Sequence, residues 1–488
     1  MVLKTSAALA PIAFVFSTAA AFAQAQPVTA DAGFARRGIT ECKTDLHYLN
    51  QVSGWQTSWP GQWSGLVRAG AGFEDAAARW EDAPEAIDTF IDNLTQGIEN
   101  EQTAPHAVVL RVLQQTRDLA QALGDRDARY FSDADGADVW NELLENAITP
   151  AVRAASDFLE NDYLPYAAQT PGLSAIENGE ACFQNTIEFW TTLSTEPAEI
   201  KTIGARLLED TRRDLVSTGE DGETFDKIMT RLRTGQENDK TTSAELIALS
   251  QAALDRAHEH VTKAFSKSAP HRVVVETMAA HLQDSAPAGY YNPPGENGTA
   301  AYIINPARPG ERRLMAEVIA FHEGVPGHHL FFDYPREVES EGFNAGLLEG
   351  WALYSEYVAD EIGLYSSTLD RQGMMAKHLW AASRLIIEPG LHLEGWSREE
   401  AVAFMLDNTL MSRAEAEIEV DRYIAMPGQS LSYMLGADFI MSERETARAA
   451  LGEAFDIKAF HDAVLLPGVR PLPQLREDIR AWTEKQAG

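Results

Sequence analysis

The sequence predicts a mainly α-helical protein, a large helical fold with one small β-sheet placed directly before a histidine-rich helix. Three observations carry that prediction. Apolar residues recur at three- and four-residue spacing along most of the chain. A short β-branched and aromatic stretch rich in Pro and Gly interrupts that spacing near position 271. The helical spacing then resumes and continues to the C-terminus without an internal repeat. At 488 residues with a 45% apolar share, the chain can bury a substantial core.

The first element is not part of the fold. Lys4 supplies a small basic region, an apolar run follows from Ala7 through Phe22, and Ala21-Phe22-Ala23 offers small residues around a cleavage point. That pattern predicts a signal peptide over residues 1–23 and a periplasmic or secreted protein. Pro11, Ser17 and Thr18 interrupt the run, which argues against a membrane anchor. No later stretch approaches the roughly 18 apolar residues that a membrane span needs, so no membrane insertion is expected. The chain holds two cysteines, Cys42 and Cys182. In an oxidising compartment a lone pair predicts one disulfide, with two buried thiols as the alternative.

Formal net charge is −33, and removing the signal peptide takes away one Lys and no acid, leaving −34. Such a charge opposes binding to nucleic acid or anionic membrane surfaces, and its default meaning is a solvated surface. Residues 24–270 are expected to form an N-terminal helical region, with segments 86–98, 139–164 and 200–215 the most regular. Ser194 and Thr195 before Glu196-Pro197 mark a helix start, because a hydroxyl can cap and Pro is tolerated in the first turn. The polar stretch 218–240 is expected to hold a short helix between loops.

Residues 271–488 form the second expected region, opening with a small sheet over 271–305. Val273-Val274-Val275, Gly289-Tyr290-Tyr291 and Ala301-Tyr302-Ile303-Ile304 have strand character, and Pro287, Pro293, Pro294, Gly295 and Gly298 mark turns. An exposed edge there, including Tyr291, could receive an extended peptide as an added strand. An ordinary hairpin without a ligand is the alternative.

The chemistry concentrates in His322-Glu323-Gly324-Val325-Pro326-Gly327-His328-His329. Zinc peptidases use imidazoles and a carboxylate as ligands, an open position for water, and a base beside it. The usual spacing puts two His four apart on one helix face, but Pro326 occupies the fourth position after His322. In a regular helix His328 would point about 240° away, and His329 would lie about 10 Å along the axis. Pro326 removes a backbone donor and Gly327 accepts unusual dihedrals, so the helix should break between Gly324 and Gly327. If the break absorbs two residues, His328 takes the second ligand position; His329 remains the alternative. Glu349, on a helix with Glu356 seven residues on, is the candidate third ligand, Glu356 its hydrogen-bonded support, and Glu323 the general base. A core cluster or turn without metal is the competing reading of these histidines.

These residues resemble a bacterial family called domain of unknown function 885, within the zincin clan of metallopeptidases. The blocks that carry the resemblance are Phe321 to Leu330, Glu349-Gly350-Trp351-Ala352-Leu353-Tyr354, Arg384-Leu385-Ile386-Ile387-Glu388-Pro389-Gly390-Leu391-His392, Pro427 to Tyr433, and Phe460 to Leu465. The resemblance implies a helical fold like that of thimet-type oligopeptidases and Taq-type carboxypeptidases, with Gly327-His328 and Glu349 supplying zinc ligands. It also implies that Tyr433 steadies the tetrahedral intermediate. Glu388-Pro389-Gly390 departs from the Asp-x-Gly of similar sequences, which bears on the loop expected before His392. Tyr433 and His392 are candidate donors to the oxyanion of amide hydrolysis, and Arg384 and Arg422 candidate partners of a substrate carboxylate. His461 and Asp462 read as a structural pair at a helix end.

The expected function is therefore hydrolysis of short peptides by metal-activated water on one Zn²⁺. A catalytically silent peptide- or solute-binding protein, or a zinc hydrolase of a non-peptide amide or ester, are the alternatives.

Overall fold

A computed structural model of the chain describes residues 49–278, 283, 288–294, 299–336 and 343–487. The expected signal peptide and Cys42 lie outside them, so the expected bridge to Cys182 does too. Among the described residues the chain is mainly helical with a three-stranded sheet, as expected. The helices before the sheet are α1 (Trp55–Ala69), α2 (Phe73–Trp80), α3 (Ala83–Glu99), α4 (His106–Gly124), α5 (Asp138–Leu143), α6 (Thr149–Phe158), α7 (Gly179–Thr191), α8 (Pro197–Ser217), α9 (Phe225–Asn238) and α10 (Ser243–His260). After β1 (Val273–Thr277), β2 (Gly289–Asn292) and β3 (Ala300–Ile304) come α11 (Pro309–Arg313), α12 (Ala316–Glu323), α13 (His328–Asp333), α14 (Ala345–Glu361) and α15 (Thr368–His392). The chain closes with α16 (Arg398–Asn408), α17 (Arg413–Ala425), α18 (Leu431–Leu451), α19 (Ile457–Leu465) and α20 (Leu472–Ala487).

Periodicity and packing agree along α4, which buries Val108, Val109, Val112, Leu113, Thr116, Leu119, Ala120 and Leu123 on one stripe. Part of that stripe packs with Trp63, Trp140 and Ile148 in an N-terminal core; part joins Ile387, Leu391, Val402 and Tyr423 of the C-terminal helices. The largest core runs from Phe183 to Ile479 and includes residues from both sides of position 270. Helices α10, α16 and α17 begin at reciprocal caps, Thr242 with Glu245, Ser397 with Glu400 and Ser412 with Glu415. The start of α8 differs from expectation: Glu196 occupies the cap position without a side-chain bond, and Pro197 supplies the preset first turn. The stretch 139–164 is helical but holds two wider turns, Leu144–Ile148 and Leu159–Tyr163.

In the sheet, β1 pairs parallel with β3 and β2 pairs antiparallel with β3, giving the order β1-β3-β2. Strand β2 is thus an edge, and it lies against α12. Helix α14 is buried on nearly all sides, from Ala345 through Glu356. No helix among the described residues is long and apolar enough to cross a membrane.

Candidate metal centre

Helix α12 ends at Glu323 with the Gly324 N–H still bonded to the Ala320 carbonyl at 2.9 Å. The backbone then leaves the helix, passes a cis Val325-Pro326 bond, and re-enters at His328. Across this break the Gly327 N–H reaches the Phe321 carbonyl at 3.0 Å, and the Leu330 N–H reaches that of Gly324 at 3.4 Å. Both bonds join residues six apart where a regular helix joins residues four apart, so the break absorbs two residues. A Cβ on Gly327 would sit 1.9 Å from the His322 carbonyl oxygen, so only glycine permits this close return. Trp351 of α14 holds the turn by donating to the Pro326 carbonyl at 3.1 Å.

The consequence is that His322 and His328 face each other, their rings 4.9 Å apart and nearly perpendicular. One carboxylate oxygen of Glu349 lies 3.5 Å from His322 Nε2 and 3.5 Å from His328 Nε2. All three side chains are buried, and Glu349 Oε2 and both ring nitrogens of His328 have no hydrogen-bond partner. Donors about 2.0–2.1 Å from a tetrahedral ion stand roughly 3.3 Å from one another. The observed spacing and the orphaned buried atoms therefore fit a zinc-sized divalent cation, and no other group of at least three His, Cys, Asp or Glu among the described residues does. Burial lowers the His328 pKa, keeping that imidazole neutral. Burial opposes ionisation of Glu349, yet the two imidazoles hold its pKa down at about 2.

Glu323 is buried beside this group and receives the Tyr291 N–H from β2. Its Oε2 has no partner in the chain. Burial, with the Glu349 charge adding to it, pushes its pKa up to about 8. A carboxylate so placed exchanges protons near neutral pH.

Glu356 accepts from His322 Nδ1 at 2.7 Å, which leaves His322 Nε2 free to face Glu349. The same carboxylate accepts from Lys377 Nζ at 2.5 Å and His378 Nε2 at 2.9 Å. Lys377 and His378 were not anticipated from the sequence. A signal existed in α15, where Asp370, Lys377 and Arg384 recur every seven residues within a buried face.

Tyr433 of α18 also reaches the site, its ring 6.3 Å from that of His322 and within 17° of parallel. Close packing brings it there: a Cβ on Gly436 would lie 2.0 Å from the Gly346 carbonyl oxygen, so α14 and α18 touch backbone to backbone. Tyr433 is hydrogen-bonded to Gln429, and burial, then Glu349, raises its pKa, so its O–H stays protonated. Arg384 stacks over Tyr433 at 4.7 Å. Arg422 donates to Glu419 at 2.8 Å and to Gln429 at 2.5 Å.

Other expected residues lie elsewhere. His392, expected as an oxyanion donor, has both ring nitrogens engaged: Nδ1 accepts the Leu173 N–H at 3.4 Å and Nε2 donates to the Tyr423 carbonyl at 3.2 Å. The loop expected before it is helix, since α15 runs through Pro389 to His392. Glu388 instead ties down the approach to α18, accepting from Gly428 N at 2.9 Å and Ser430 Oγ at 2.7 Å. His329 is engaged at both nitrogens, by the Tyr291 hydroxyl at 3.1 Å and the His271 carbonyl at 2.9 Å, so His328 is the ring beside Glu349. Tyr291, expected on an exposed edge as a substrate contact, is fully buried with its hydroxyl committed to His329. His461 bonds Tyr354 and the Ala264 carbonyl, while Asp462 bonds Ser266 and Tyr334; both are structural, but not with each other.

The family described as "Bacterial protein of unknown function (DUF885)" matches residues 18–479. Among solved structures, a provisionally named lipoprotein from Colwellia psychrerythraea superposes with a TM-score of 0.81 at 22% identity, covering 96% of this chain and 90% of that one. A provisionally named lipoprotein of unknown function from Shewanella oneidensis gives 0.69 at 18% identity, covering 90% and 84%. At these identities the likeness is one of fold. No curated protein matches the chain.

Proposed function

This chain belongs to that family of bacterial proteins of unknown function, and we propose that it is an extracytoplasmic zinc-dependent peptidase acting on short peptides. The observation that carries the reading is the convergence of two buried imidazole Nε2 atoms on one Glu349 oxygen, each at 3.5 Å. His322, His328 and Glu349 would hold the ion. Bound there, Zn²⁺ supplies Lewis acidity, polarising the scissile carbonyl and making water a stronger acid.

The remaining steps belong to the chain's own side chains. As the water oxygen bonds to the carbonyl carbon, Glu323 takes one water proton on its partnerless Oε2 and passes it to the departing nitrogen. The C–N bond breaks and a carboxylic acid and an amine leave. The Tyr433 O–H donates to the oxygen that becomes negative on the way. The buried walls of α12, α14 and α18 exclude bulk water, so these interactions act at low effective dielectric. A solute-binding protein would not require a buried, partnerless carboxylate beside the three ligand side chains. The extracytoplasmic placement rests on the N-terminal signal pattern and agrees with the lipoprotein names given to the two solved structures.

The test is Glu323→Gln. Elemental analysis should find one zinc per chain in wild type and variant alike, while turnover of a short-peptide panel falls by about 10²- to 10⁴-fold. Unchanged turnover in the variant would remove Glu323 from the mechanism.

A further inference from the structure

Once Glu349 is committed as a metal ligand, the remaining charges around Tyr433 do not balance. One buried carboxylate, Glu419, faces two buried guanidiniums. Arg422 occupies it at 2.8 Å, whereas Arg384 reaches it only at 3.5 Å. Arg384 spends its Nε on the Tyr423 hydroxyl at 3.1 Å, and its Nη1 donates to nothing among the described residues. The other acids nearby are taken: Glu388 by Gly428 and Ser430, and Asp421 by Arg111 and Arg398. Arg384 is 5% exposed, and burying a cation that only shares a carboxylate, at 3.5 Å, is costly unless a second anion arrives.

Its placement says which anion. The guanidinium is stacked on Trp380 at 4.1 Å and on Tyr433 at 4.7 Å, which fixes its plane. A fixed planar fork suits a carboxylate, which it can bind with two parallel N–H donors. From Arg384 to the Tyr433 ring is 4.7 Å and from there to the His322 ring 6.3 Å, so the guanidinium and the ligand imidazole can be no further apart than these two steps combined. An extended chain covers about 3.3–3.6 Å per residue. The gap is thus at most about three extended residues, and the contact distances at the guanidinium and at the ligand imidazole shorten it to one or two residues beyond a scissile bond at His322, His328 and Glu349.

We propose that Arg384 binds the free α-carboxylate of the substrate, so that the enzyme removes one or two residues from peptide C-termini. The assignment rests on the peptidase reading and is a claim about substrate class at the same site.

The experiment compares N-acetylated tetra-alanine with its C-terminal amide. The zinc-loaded wild type should cleave the acid with a kcat/KM about 10- to 100-fold above that of the amide, releasing alanine or dialanine. Arg384→Gln should erase that preference chiefly by raising KM for the acid, and Arg384→Lys should restore part of it. Calorimetric binding of the same two peptides to Glu323→Gln needs no turnover and separates the two claims. If the acid binds better than the amide while wild type cleaves neither, the Arg384 assignment holds and the peptidase reading falls. Equal cleavage of both peptides, or equal or absent binding, overturns the Arg384 assignment; equal cleavage leaves the peptidase reading standing.

Discussion

Glu356→Gln is the sharpest probe of how the centre is built. The wild-type carboxylate accepts three donors in a fully buried position: His322 Nδ1, Lys377 Nζ and His378 Nε2. Burial works against its ionisation, but Lys377 and the two imidazoles outweigh that and hold its pKa well below the carboxylate range. Glutamine keeps the shape and one acceptor, yet turns the other oxygen into a donor and strands the Lys377 charge. Stranding a buried cation costs about 3–5 kcal/mol, and the 11% exposure of the Lys377 side chain places the loss toward the lower end. His322 also loses the acceptor that fixes its tautomer, which weakens metal binding by about 10- to 100-fold. Urea unfolding of the metal-free protein reads the first effect, and competition with a zinc chelator reads the second. Adding Lys377→Met should recover part of the stability, because the stranded charge is then gone, without recovering zinc affinity. A variant that binds zinc within twofold of wild type would refute the claim that Glu356 orients His322.

Two further predictions follow from packing and from burial. Gly436→Ala puts a Cβ 2.0 Å from the Gly346 carbonyl oxygen and should destabilise by about 1–3 kcal/mol while lowering zinc affinity, since α14 and α18 carry Glu349 and Tyr433. Gly235→Ala in α9, where a Cβ meets nothing within 4 Å, should be neutral or stabilising by up to about 1 kcal/mol; equal unfolding midpoints for the two variants would contradict the packing argument. In metal-free protein, Glu323 keeps up to about pH 8 a proton that the unfolded chain releases near 4.5, so its contribution to stability falls as pH rises through that window. Glu349, held down at about 2, contributes stability above 4.5 that is lost as pH falls toward 2. Chelator-treated wild type should thus lose more stability than Glu323→Gln between pH 5 and pH 8, by an amount on the order of a few kcal/mol. Parallel curves would mean that Glu323 is not carrying the proton.

The break in α12 was legible because Pro326 and Gly327 have local consequences: one removes a donor, and the other lets the chain return against the His322 carbonyl. His322, His328 and Glu349 were legible because ligand chemistry restricts residue types, and the two-residue break accounts for their spacing. Lys377 and His378 were not, since the seven-residue recurrence of Asp370, Lys377 and Arg384 marks a polar face of α15 but not that this face lies against Glu356. His392 misled for a related reason. It follows Pro389 and Gly390, which suggest a loop, but tertiary packing carries the helix through both and turns the ring to the backbone of Leu173 and Tyr423. The wide turns inside 139–164 were invisible because each adds one residue to a single turn, which shifts the apolar stripe but leaves the three- and four-residue spacing on either side intact. Tyr291 lies on an edge strand, as its sequence context implies, but the commitment of its hydroxyl to His329 depends on how β2 meets α13.

The central claim is that three side chains from three helices grip one ion. Anomalous diffraction at the zinc edge, on crystals of the zinc-loaded protein, tests it most directly. The account predicts one strong peak per chain, about 2.0–2.2 Å from His322 Nε2, His328 Nε2 and a Glu349 oxygen. A peak at another cluster, or no peak with Glu349 still lying between the two imidazoles, would contradict it.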